Sequence, residues 1–198
     1  MNSENTPARI GPNAIIRVAE ALNAQGDPQL TQRIFAAARL DHYLDALPEQ
    51  MVPETDVIAL QQALRQELTP EQAQAINFDA GLRTGDYLLA NRIPGFAQVI
   101  LRLLPPRPAC RMLLTAVGKN AWTFSGSGSY RFEMTKPVAV HIADCPISRG
   151  ATATAPVCAF YTGTFQRLSE TLISRSAQVT ETQCQALGAE ACVFEIRW

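Results

Sequence analysis

The sequence predicts an α+β fold in which a helical N-terminal half is followed by an antiparallel sheet crossed by one further helix. Three observations predict it. Apolar residues recur at steps of three and four through the first half, the period changes to strict alternation beyond residue 122, and a last helical stripe lies between two groups of strand-like runs. A chain of 198 residues, 47% hydrophobic and 18% charged, has the composition of a globular domain with a full core.

Val57, Leu60, Leu64 and Leu68 share one helical face. Thr69-Pro70-Glu71-Gln72 then supplies a cap, a proline at the first helical position and a glutamine three residues after the cap, which is the capping-box arrangement. A longer helix is expected to follow through Ile76 and Leu88, ended by Pro94, with a short helix beyond it ended by Pro105-Pro106. Gly81 and Gly85 lie one turn apart, a spacing that lets a second helix approach closely. Together with the stripe of the preceding helix they offer a surface for a two-fold contact, so a homodimer is expected.

Ser125-Gly126-Ser127-Gly128-Ser129 reads as a hairpin loop. Tyr130, Phe132 and Met134 alternate with Arg131, Glu133 and Thr135, and residues 138–143 continue as a second strand after Lys136-Pro137. Val157, Tyr161, Phe165, Leu168 and Leu172 form the stripe of a helix starting near Pro156, with Cys158 in its first turn. Residues 179–183 and 192–197 close the sheet, with Gly188 in the turn. The chain divides into a helical region, 1–84, and a mixed α/β region, 85–198, expected to pack as one domain.

The net charge is −1, with cations spread along the chain, so the basic surface that drives nucleic-acid affinity is not evident. Residues 1–11 are polar and lack the apolar core of a signal peptide. No apolar stretch approaches the roughly 20 residues that span a bilayer, because Arg102 and the prolines at 105, 106 and 108 interrupt the most apolar region. The expected location is cytoplasmic, with peripheral contact at the inner membrane left open.

Five cysteines in a chain without an export signal point to metal binding or burial rather than disulfides. Cys158, Glu181, Cys184 and Cys192 form a C-x22-E-x2-C-x7-C pattern, and zinc takes four ligands in a tetrahedron with thiolates common and a carboxylate allowed. Spacing alone leaves a second reading, buried free cysteines and a surface glutamate. Cys110 and Cys145 fall outside the pattern and are expected to tolerate serine.

The runs C-A-F-Y-T-G-T-F-Q-R-L from Cys158 and V-T-E-T-Q-C-Q-A-L-G-A-E-A-C-V-F-E-I from Val179 resemble the C-terminal signature of the 4-vinyl reductase domain family. G-D-Y-L-L-A-N-R-I-P from Gly85 and A-W-T-F-S-G-S-G-S-Y from Ala121 are similar to the member of that family found in bacteriochlorophyll biosynthesis. The resemblance covers residues 85–198 and implies a small ligand-binding α/β domain. It also implies a zinc site, as in phenol-sensing regulators of the family, and Cys158, Glu181, Cys184 and Cys192 match that site residue by residue. Four protein ligands leave no open position, so the zinc is expected to be structural.

The family's name implies hydride chemistry, but no G-x-G-x-x-G joins a strand to a helix, and neither His42 nor His141 sits in a hydrolytic motif. The leading expectation is an accessory protein that binds a tetrapyrrole intermediate, of Mg-porphyrin or protochlorophyllide type, and delivers it between pathway enzymes such as Mg-chelatase and the following methyltransferase. The alternatives are a vinyl reductase and a pigment-free regulatory subunit. Candidate ligand contacts are the aromatic walls Trp122, Phe124 and Phe132 with Leu88, Ile93, Phe96 and Ile100. Arg92, Arg111 and Arg131 are candidates for pairing propionates, and His141 for ligating the central metal.

Overall fold

The capping box at Thr69 fixes the start of the longest helix. Gln72 N–H donates to Thr69 Oγ1 at 3.3 Å and Thr69 N–H donates to Gln72 Oε1 at 3.1 Å. The computed structural model describes residues 8–198, so most of the polar N-terminal stretch read above for a signal peptide lies outside the described residues.

In chain order the elements are β1 (Arg9–Ile10), α1 (Asn13–Asn23), α2 (Pro28–Ala37), α3 (His42–Asp45), β2 (Val52–Pro53), α4 (Glu54–Glu67), α5 (Pro70–Asn91), α6 (Gly95–Leu103) and α7 (Pro106–Lys119). They continue with α8 (Trp122–Ser125), β3 (Ser129–Glu133), β4 (Val138–Ala143), α9 (Ala159–Leu172), β5 (Gln178–Gln183), a 3-10 turn (Gln185–Leu187) and β6 (Cys192–Arg197). The fold is α+β. Helices fill the first half, and the main sheet has the antiparallel order β3-β4-β6-β5.

Local details depart from expectation where the chain turns. Leu68 is extended and lies beyond α4, because its neighbour Thr69 already caps α5. Pro94 does not end α5, which stops at Asn91; it precedes α6 instead. The Ser125–Ser129 stretch is a helix-to-strand turn rather than a hairpin loop, and the β3–β4 hairpin turns through residues 134–137.

The core lies between α9 and the sheet. Val138, Val140 and Ile142 of β4 and Phe194 and Ile196 of β6 are buried against Phe165, Leu168 and Leu172. Phe165 and Tyr161 pack on Phe194 with ring centroids 5.6 and 6.0 Å apart.

The other side of α9 meets α5 backbone to backbone. A Cβ built on Gly81 would lie 2.2 Å from Phe160 O, and one on Gly163 would lie 2.3 Å from Phe78 O. Small residues on both helices allow this approach. The Gly81/Gly85 face is therefore consumed inside the monomer, and Val57, Leu60 and Leu64 of α4 are fully buried as well. The two-fold contact expected through these faces is corrected on that ground.

Glu54 opens α4 and ties it to the turn before β3. Its Oε2 accepts Ser127 N–H at 2.8 Å, and its Oε1 accepts Ser127 Oγ and Arg149 Nη1, each at 2.8 Å. Burial alone would raise the Glu54 pKa, but the Ser127 donors and the Arg149 charge outweigh it and hold the carboxyl below its ordinary 4.5. A depressed folded pKa stabilises the protein above the unfolded value and is lost as pH falls through the folded one. Glu54→Gln is expected to cost about 2 kcal/mol at neutral pH. The gap in melting temperature from the parent should narrow as pH drops from about 5 to about 3, readable by thermal denaturation.

Candidate metal centre

Four buried side chains converge where the start of α9 meets the β5–β6 connection. Cys158 occupies the N-cap of α9 rather than its first turn, because α9 begins one residue later, at Ala159. Its backbone N–H donates to Glu181 Oε2 at 2.8 Å. Glu181 lies in β5 where the register with β6 shifts, Cys184 follows β5 directly, and Cys192 is the first residue of β6. Gly188, at φ 88°, reverses the chain between the last two.

One ligand atom from each of Cys158, Glu181, Cys184 and Cys192 lies within 4.8 Å of the others. Cys158 and Cys192 sulfurs are 3.4 Å apart, and Cys192 and Cys184 sulfurs 4.0 Å. A tetrahedral zinc with bonds of about 2.3 Å places its sulfurs about 3.8 Å apart, so the spacing fits a metal ion. Glu181 Oε1 is buried without a hydrogen-bond partner, leaving it free to serve as a ligand.

Electrostatics point the same way. Burial, then the charge and hydrogen bond of Cys184, push the Glu181 carboxyl up to about 8, although the Cys158 N–H opposes this. Burial and the neighbouring thiols push Cys158 well above its ordinary range. A bound dication reverses both effects by favouring the deprotonated ligands. Arg65 of α4 brings a cation to the cluster. Burial lowers its pKa, while Cys158, Cys184 and Cys145 oppose that shift; Nη1 donates to Ile147 O at 2.9 Å, and Nη2 is buried without a partner.

Cys145 belongs to this cluster, contrary to the expectation that it stands apart. Its sulfur is 3.6 Å from Cys158, and its N–H donates to Gln185 Oε1 at 2.8 Å. The signal was its position just past the strand at 138–143, since β4 pairs with β6 and ends beside Cys192. Cys110, buried in α7, has its thiol pushed up to about 12 by burial and makes no side-chain hydrogen bond among the described residues.

The other sequence-selected residues do not converge. Trp122 is 63% exposed on α8, and Arg111 is exposed on α7. Arg92 stacks over the Tyr87 ring at 6.0 Å. Arg131 pairs with Glu133 on β3, opposite His141 in register. His141 is half-buried, 3.7 Å from Glu133, and burial followed by the Arg131 charge lowers its pKa. Phe132 packs on the core edge.

Phe124 lines an apolar cavity of about 110 Å³ with Val57, Leu88, Tyr161 and Phe165. Pockets for drug-sized ligands run to roughly 300–1,000 Å³, so this space is too small for a tetrapyrrole. An open groove of about 600 Å³ lies elsewhere, at the end of the sheet, lined by Arg107, Lys136, Pro137, Val138, Arg197 and Trp198. Sequence reading missed it, because α7, the β3–β4 turn and the last strand meet only in the fold.

Residues 138–198, which carry the sheet from β4 onward, α9 and the thiol cluster, match the 4-vinyl reductase domain. The chain is 42% identical over 189 residues to the bacteriochlorophyll synthase 23 kDa chain of Cereibacter sphaeroides, covering 95% of this chain and 90% of that one. It is 38% identical over 186 residues to the protein of the same name from Rhodobacter capsulatus, covering 94% and 85%. The chain belongs to the family of these 23 kDa chains. Among solved structures, an H-NOX protein from S. oneidensis in the Fe(II)NO ligation state has the same fold, with a TM-score of 0.50 at 10% identity over 95% of this chain and 98% of that one.

Proposed function

We propose that the protein is an accessory of bacteriochlorophyll biosynthesis that binds a magnesium tetrapyrrole, of Mg-porphyrin or protochlorophyllide type, and passes it between enzymes such as Mg-chelatase and the following methyltransferase. The observation that carries the reading is identity along nearly the whole chain to two proteins named as chains of bacteriochlorophyll synthase. The groove beside Trp198 supports the mode of binding. It has the volume for a flat macrocycle, an indole to stack on it, and Arg107, Lys136 and Arg197 to meet its carboxylates. Zinc, held by Cys158, Glu181, Cys184 and Cys192, has a structural role in this reading.

Titrating purified protein with Mg-protoporphyrin is expected to give a saturable shift of the Soret band at micromolar ligand. Trp198→Ala and Lys136→Glu should each weaken it at least about fivefold, since stacking and a desolvated charge contact are each worth about 1 kcal/mol or more. No saturable shift overturns the reading. A deletion strain is expected to make monovinyl pigment in reduced amount. Conversion of divinyl to monovinyl pigment by the purified chain plus a reductant would replace delivery with catalysis.

A further inference from the structure

Helix α6 carries its apolar residues on the outside. Phe96, Val99, Ile100 and Leu103 follow the i, i+3, i+4, i+7 spacing of a single helical face, and they are 72, 54, 45 and 80% exposed. The opposite side holds the helix to the body: Leu101 is buried, and Arg102 Nε donates to Thr171 O of α9 at 3.2 Å. Met112, on the adjoining α7, is 49% exposed as well. Scattered exposed apolar residues need no explanation, but a full stripe on one short helix does.

Charge identifies the partner. Between Tyr87 and Phe132 the chain has six cations, Arg92, Arg102, Arg107, Arg111, Lys119 and Arg131, and no Asp or Glu, although the whole chain carries −1. The even spread of cations along the sequence conceals this acid-free stretch. All six are exposed. An amphipathic helix with large apolar side chains on one face and arginines flanking it lies in the plane of an anionic bilayer surface, its apolar face among the acyl chains and its cations on the headgroups.

We infer that α6, with the flanking cations of α7, is a membrane-docking surface that binds anionic lipid bilayers peripherally. Among the described residues no helix is long and apolar enough to cross a membrane, so the contact is interfacial. This inference does not rest on tetrapyrrole binding.

Co-sedimentation of the full chain with vesicles tests it. The protein is expected to pellet with vesicles of phosphatidylcholine containing a third phosphatidylglycerol and to remain in the supernatant with phosphatidylcholine alone. Raising the salt should release it. The Phe96→Asp/Leu103→Asp double variant should lose binding at least about tenfold while its melting temperature is unchanged, since both side chains are exposed. Arg111→Gln/Lys119→Gln should weaken binding to the anionic vesicles and alter its salt dependence. Absence of binding to the anionic vesicles, or undiminished binding by the Asp double variant, overturns the inference. So does a parent dimer in light scattering that the Asp variant converts to monomer without any vesicle binding, which would assign the stripe to a second copy of the chain.

Discussion

Protein purified without chelator is expected to carry close to one zinc per chain, and Cys184→Ser or Cys192→Ser to abolish it and lower the melting temperature together. Each cysteine is fully buried and supplies one of few thiols at tetrahedral spacing, so an oxygen there leaves a three-ligand site inside an apolar shell. Loss of a structural ion is among the mechanisms that exceed about 4 kcal/mol. In a chain of this size that corresponds to a fall on the order of 10 °C. Ligand thiols must lose protons to bind, so the ion should also leave more readily as pH is lowered. Glu181→Gln is expected to lose the ion and Cys145→Ser to keep it, which identifies the fourth ligand. Cys110→Ala should leave metal content unchanged. A parent protein with less than about 0.2 zinc per chain and freely titratable thiols would return the cluster to buried cysteines.

Gly81→Ala is expected to destabilise severely, although helix propensity alone would make it favourable by about 1 kcal/mol. The added methyl meets Phe160 O at 2.2 Å and Thr164 N at 2.9 Å, and neither is a side-chain end that can swing away. Relief requires α5 and α9 to separate, at a cost of more than about 3 kcal/mol. Gly163→Ala presses on the same seam from the other helix and should behave alike. Gly95→Ala, with nothing within 4 Å of its added carbon, serves as the control. Urea denaturation reads all three, and equal midpoints for Gly81→Ala and the parent would refute the seam.

What was legible in the sequence was local. The capping box at Thr69, the strand at 138–143 and the strand at 192–197 depend on residues within one turn or one pleat, and they lie where the pattern put them. The Gly81/Gly85 face was legible as a close-packing surface, but periodicity names a face and not its partner. That partner is Phe160 to Arg167, in a helix about eighty residues downstream. Cys158, Glu181, Cys184 and Cys192 stood out because motif and spacing coincide. Cys145, Arg65 and the Glu54–Arg149 pair did not, because only tertiary packing brings them to their neighbours. The residues chosen for a tetrapyrrole pocket scattered because an aromatic or an arginine in sequence carries no sign of which way the chain will face it.

Helix α9 starts at the thiol cluster and runs along the glycine seam, so one rod is gripped at its end by a coordination sphere and along its flank by backbone. Neither grip contains a rotatable side chain that could absorb displacement gradually. The pair α5–α9 must therefore move as a single lever, with Cys158 as its fulcrum. Amide hydrogens of the two helices should exchange by one common opening event rather than by fraying in sequence.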